Sequence, residues 1–179
     1  MIKFNQIAEG VHASYANHHS NHPYFVFPPA RGKLVSMASA KRNTARPVII
    51  HGIADARAAC RAAMGRGEAV TLWSARGAGG YMGPLWFAEI IRQTRGEFPT
   101  LTITGVLDCD AAPGDALAAI RVGVQAIALT AKPTVKARIR NIASAENAIL
   151  LRRPAKALDL QSSADPEADC RRWFGIRDG

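Results

Sequence analysis

From residue 47 onward, short apolar runs alternate with segments that have helical periodicity. Runs four to seven residues long that are apolar at successive positions are typical of strands buried on both faces of a sheet. Between them lie segments rich in helix-forming residues. We predict five strands, at residues 47–52, 69–74, 101–107, 124–129 and 148–151, with four helices between them.

The predicted helices carry start and stop signals. Asp55 and Gly65 flank the first helix as its N-cap and its C′ residue. Pro84 and Pro113 open the second and third helices at the first-turn position that proline favours. A helical crossover joins strands that run in the same direction, so the predicted sheet is parallel.

This alternation predicts an α/β fold with an open, doubly wound, parallel sheet of five strands in the flavodoxin-like order 2-1-3-4-5. The alternative is a half (βα) barrel completed by dimerisation, because five units are too few to close an eight-stranded barrel. We assign residues 1–46 to an irregular basic N-terminal arm, 47–160 to the α/β domain and 161–179 to a C-terminal tail with a short helix. The sequence leaves open whether residues 1–36 belong to the folded protein.

Composition places the chain among globular proteins, and the charge is uneven. The 179 residues are 48% hydrophobic and carry a formal net charge of +9, so the chain is too apolar to be fully disordered. The charge is +5 in residues 1–46, zero in 47–131 and +4 in 132–179. Basic ends around a neutral middle predict non-specific, salt-sensitive contacts with polyanions.

No feature of the sequence points to a membrane or to secretion. No apolar run approaches the length of about 20 residues that spans a bilayer, and the first residues lack the apolar region of a secretory signal. Cys60, Cys109 and Cys170 are too widely spaced for a C-x-x-C pair and too few for a disulfide framework. We expect a cytoplasmic protein without a membrane span.

The strongest candidate binding feature is the glycine-rich segment after the second strand. Its glycines allow backbone N–H groups to approach an anion, with Arg76 as a countercharge and a helix beginning at Pro84. It matches neither the dinucleotide fingerprint nor the P-loop. The alternative is a turn whose glycines permit tight packing. The ligand-binding candidates in this segment are Arg76, Gly77, Gly79, Gly80 and Gly83.

The candidate catalytic residues lie at two other predicted strand ends, where ligands bind in open parallel sheets. Asp108 is our candidate general acid or base, and Cys109 is a candidate nucleophile with His51 as its base. In the alternative interpretation, Asp108 pairs with an arginine and Cys109 packs as a small apolar side chain. Lys132 and Arg152, which follow the fourth and fifth strands, are further candidates for holding an anion.

The segment at residues 107–129 resembles the strand–helix–strand units of aldolase-type and phosphate-sugar βα-barrel enzymes. The resemblance implies an acidic residue at a strand end before an alanine-rich helix, a place that Asp108 occupies. It implies no aldolase activity, because the core lacks counterparts of the class II zinc-binding histidines and Lys132 matches no class I motif. The histidines of the N-terminal arm match no metal-site spacing, so we assign no metal.

The sequence therefore predicts a small α/β protein that binds an anionic or phosphorylated small molecule, as an enzyme if Asp108 acts as acid or base. The alternative is a non-catalytic interaction module that docks on nucleic acid or an acidic partner through its basic ends. A homodimer is a further expectation. No cofactor is indicated.

Overall fold

A computed structural model describes residues 46–64 and 69–176, and the predicted N-terminal arm lies almost wholly outside these residues. The strands are β1 (Val48–Ile50), β2 (Val70–Ser74), β3 (Ile103–Asp108), β4 (Ala126–Ala128), β5 (Ile149–Leu151) and β6 (Leu158–Asp159). The helices are α1 (Ile53–Met64), α2 (Ala78–Tyr81), α3 (Pro84–Glu97), α4 (Pro113–Arg121), α5 (Pro133–Ala145) and α6 (Pro166–Phe174).

The strands form one parallel sheet in the order β5-β4-β3-β2-β1-β6. This confirms the predicted α/β class with an open parallel sheet. It differs from the predicted order 2-1-3-4-5 because β1 to β5 follow each other across the sheet, and because a sixth strand pairs with β1. Hydrophobic periodicity marks a strand but does not encode on which side of its predecessor the chain returns.

The sequential order is also that of consecutive units in a βα barrel, the alternative that the sequence left open. Right-handed crossovers in this order place their helices on one face of the sheet. The larger hydrophobic cluster combines helix residues with alternate strand residues such as Leu72, Leu107 and Ile127. A second cluster, around Trp73 and Val106, contains strand residues only among those described. Completion of a half barrel by dimerisation stays a prediction.

Small residues bring the helices close to the sheet. Ala56, Ala59 and Ala63 of α1 are buried in the larger cluster. A Cβ atom on Gly105 of β3 would lie 2.5 Å from Cγ1 of Ile91, so α3 rests directly on the strand backbone. The helix ends follow the predicted signals only in part, since α1 begins two residues before Asp55.

The C-terminal helix α6 packs against α1. Its Cys170 and Phe174 side chains are buried in the larger cluster, and Nη1 of Arg46 donates a hydrogen bond to the carbonyl of Trp173 at 2.9 Å. The Oδ1 atom of Asp165 caps the helix by accepting from the N–H of Ala168. Among the described helices, none is long and apolar enough to cross a bilayer.

Candidate functional site

A small pocket lies beside the carboxyl ends of β1 and β2. Its volume is about 120 Å³, below the roughly 300 Å³ of pockets that enclose drug-sized ligands. The pocket can therefore hold a small group or one end of a larger molecule. Its lining is mainly apolar and aromatic, with one ionisable imidazole, and consists of Ile50, His51, Ala75, Ala78, Tyr81, Met82 and Trp86.

Two carboxylates fix His51 at the wall of this pocket. Its backbone N–H donates to Oδ2 of Asp55 at 2.7 Å, and its Nε2 lies 2.7 Å from Oδ1 of Asp159 in β6. Because a carboxylate only accepts hydrogen bonds, this contact assigns the proton to Nε2 and leaves Nδ1 as the basic nitrogen of a neutral ring. The side chains of His51 and Asp159 are 27% and 50% exposed, so water and solutes reach the pair.

Asp108 lies at the end of β3 in a different environment. Its side chain is 4% exposed and forms an ion pair with Arg153 through Oδ2. Its Oδ1 accepts hydrogen bonds from the N–H groups of Gly77 and Asp110, at 3.1 and 2.9 Å. Both oxygens are therefore engaged within the protein. This arrangement matches the alternative interpretation of the sequence, in which Asp108 pairs with an arginine. Acid–base chemistry by Asp108 stays a prediction.

The glycine-rich segment packs directly on the turn that follows β3. A Cβ atom on Gly79 would lie 2.9 Å from Sγ of Cys109, and one on Gly80 would lie 2.9 Å from Oδ2 of Asp115. Gly77 adopts a left-handed conformation with φ of 69°, which glycine tolerates without strain. The Gly77 N–H donates to the carboxylate of Asp108, and tight packing accounts for Gly79, whereas Gly80 meets only the end of the Asp115 side chain. Binding of an external anion by this segment stays a prediction.

The remaining glycine, Gly83, precedes α3. It has φ of 86°, and a Cβ atom there would meet nothing within 4 Å. Glycine is required at this position because of the positive φ angle and not because space is short. Met82, beside it in the chain, lines the pocket, so this turn orients a pocket wall.

Burial opposes a nucleophilic role for Cys109. The side chain is 1% exposed, and desolvation, with a smaller effect of the nearby Asp115 and Asp108 carboxylates, raises the pKa of its thiol to about 12. A thiol with this pKa is almost wholly protonated at neutral pH. A pair of Cys109 and His51 stays a prediction, and the thiol's environment does not support it.

The candidate anion-binding cations are spread along the sheet edge. Arg76 is 68% exposed and pairs with Asp110 at 3.0 Å, so a ligand would compete with that carboxylate for the guanidinium. Lys132 precedes α5, and Arg152 follows β5. Both are exposed and form no ion pair with any other described residue. Lys132 follows β4, and β3 lies between β4 and the pocket strands β1 and β2.

Residues outside the predicted set complete the site. Asp159 was missed because β6 has only two residues, which is too short for any periodicity. Tyr81, Met82 and Trp86 are pocket residues outside that set, and the large side chains of Tyr81 and Met82 inside the glycine-rich segment are a sequence signal that could have found those two. The N-terminal histidines lie outside the described residues, within which no cluster of metal-ligating side chains occurs.

Comparison with known proteins adds no assignment. No protein-family model matches the chain, and no curated protein has a significantly similar sequence.

Proposed function

We propose that the protein binds a small organic molecule in the pocket at the ends of β1 and β2, and that His51 exchanges a proton with it. The observation that carries this proposal is the 2.7 Å contact between His51 Nε2 and Asp159 Oδ1 on the pocket wall. A carboxylate that orients one imidazole nitrogen leaves the other available as an acid or base.

The proposed ligand is partly apolar and carries an anionic group such as a carboxylate or a phosphate. Tyr81, Met82 and Trp86 offer an apolar surface for its carbon skeleton. Arg76 follows the pocket residue Ala75 and supplies a cation. Its pair with Asp110 is exposed on both sides, so it is weak and easily exchanged for a ligand anion. The volume limits the enclosed part of the ligand to a few non-hydrogen atoms.

Thermal melting of the full chain against a panel of phosphorylated metabolites and small carboxylates tests the proposal. We expect at least one compound to raise the melting temperature, because binding to the native state alone adds stability. Tyr81→Ala removes a pocket wall and is expected to abolish that rise. Leu85→Ala is the matched control, since Leu85 is also more than half exposed but does not line the pocket.

Acid–base involvement of His51 is tested with the same compound. His51→Gln is expected to remove the part of the pH dependence of its binding that comes from proton exchange with the imidazole. Asp159→Asn is expected to alter that dependence while leaving the pocket lining intact. The proposal is wrong if no compound shifts the melting temperature, or if the shift survives Tyr81→Ala.

A further inference from the structure

A positively charged row of side chains begins just before α5 and continues along it, at the opposite end of the sheet from the pocket. Residues 130–157 carry seven basic side chains and one acidic one, a net charge of +6. Lys136 and Arg140 are four residues apart on α5, so they follow one row along the helix at an interval of roughly 6 Å, and Lys132, four positions before Lys136, is the residue that immediately precedes the helix. We call these three residues the basic row. Ser144, four residues further on, continues its line.

The basic row has no acidic partner among the described residues. Several arginines elsewhere are paired with acids, as in Arg57–Glu97 and Arg61–Glu167. Like charges four residues apart on a helix repel each other, and no ion pair with another residue in the described ranges 46–64 and 69–176 offsets that repulsion. A surface with this charge distribution is complementary to an extended anion.

We propose that the basic row binds the phosphate backbone of a nucleic acid. The cations extend over roughly 12 Å of helix axis, further than one phosphate group can reach. The exposed hydroxyl of Ser144 adds the kind of hydrogen-bond donor that contacts phosphate and sugar. Because the row has no aromatic side chain on which bases could stack, it recognises the backbone and not the base sequence.

Nucleic acid fits this surface better than a membrane does. Helices that lie in a bilayer interface insert large apolar side chains. Among the described residues of α5, only Ile142 is both large and apolar and strongly exposed. The short polar residues Thr134 and Asn141 are exposed instead.

The basic row and the pocket are independent of each other. Strand β5, which follows α5, is one edge of the sheet, and β4 and β3 separate it from the pocket strands. Loss of nucleic-acid binding should therefore leave ligand-induced melting shifts unchanged. Loss of ligand binding in the pocket should likewise leave nucleic-acid binding unchanged.

The test is fluorescence anisotropy of the full chain with labelled single-stranded RNA and double-stranded DNA, repeated between about 50 mM and 200 mM salt. The variant is Lys132→Gln, Lys136→Gln and Arg140→Gln combined, since glutamine keeps a helix-forming side chain and removes the charge. We expect it to weaken binding at low salt at least tenfold and to reduce the logarithmic salt slope by about 2 to 3, according to strand type.

Arg138→Gln is the matched control, because Arg138 is on the same helix but on the other side of its buried stripe. We expect it to change the salt slope by less than about one unit. The proposal is overturned if neither nucleic acid binds at low salt, or if the triple variant keeps the wild-type slope. Tighter binding to anionic vesicles or to polyglutamate would equally overturn it.

Discussion

Two carboxylates at the same edge of the sheet have opposite environments. Asp108 is almost fully buried, and Arg153 and two backbone N–H groups engage both of its oxygens. Asp159 is half exposed and holds the His51 ring at the pocket wall. The difference shows that a carboxylate at the end of a central strand can act as an internal anion that holds neighbouring loops through hydrogen bonds. The edge strand β6 instead carries Asp159, whose pair with His51 is accessible to solutes.

Because the turn that follows Asp108 is buried, we expect the Cys109 thiol in it to be chemically unreactive. This loss of thiol reactivity is the largest effect that we predict. The pKa of the Cys109 thiol is raised to about 12 from a reference value of 9.0, a thousandfold loss of thiolate. The pKa values of Cys60 and Cys170 are raised to about 12 in the same way by burial. We predict that no thiol of the native protein reacts rapidly with a disulfide reagent at pH 8, whereas all three react after denaturation. Rapid modification of Cys109 in the native protein would contradict the comparison.

Removal of the buried carboxylate should strongly destabilise the fold. Asp108→Ala leaves two N–H groups without an acceptor and deprives Arg153 of its partner. We expect a loss of about 3 kcal/mol in the free energy of unfolding, measured in urea. Arg153 is 39% exposed, and its access to water keeps the loss from being larger.

The exposed carboxylate supplies the control for that experiment. Asp159→Asn should change the free energy of unfolding by less than about 1 kcal/mol, as is usual for exposed pairs. Equal losses in the two variants would show that the environments of the two carboxylates do not differ as described.

A substitution in the glycine-rich segment tests more specifically how tightly this segment packs on the same turn. Gly79→Ala places a Cβ atom 2.9 Å from Sγ of Cys109, and we expect a loss of about 2 kcal/mol in the free energy of unfolding. Cys109→Ala removes the sulfur, so the double variant should recover part of that loss. A double-mutant cycle with no coupling between the two positions would favour a flexible loop over tight packing.

The sequence predicted the repeating strand and helix pattern because each element has its own periodicity. It did not predict the strand order, which depends on where each crossover lands, or β6, whose two residues have no pattern. It placed His51 and Asp108 at the correct edge. Their environments depend on Asp159 and Arg153, partners more than 40 residues away along the chain, and no local signal identifies such partners.

The smallest expected effect concerns the exposed ion pairs of the helical layer. The Arg57 guanidinium beside Glu97 lowers the pKa of that carboxyl. A lowered folded-state pKa stabilises the protein at neutral pH, and this contribution is lost as the pH falls through the folded value. Glu97→Gln should therefore slightly flatten the decline of the urea midpoint from pH 7 to pH 3. A steeper decline in the variant would contradict the assignment.

The most direct test of the proposed function is the NMR signal of the His51 ring in the full chain, assigned by comparison with His51→Gln. We predict that the panel compound that raises the melting temperature also moves this signal and that Tyr81→Ala abolishes the movement. If a compound stabilises the wild-type protein while the His51 signal stays in place, the ligand binds elsewhere, and the proposed pocket is not the functional site.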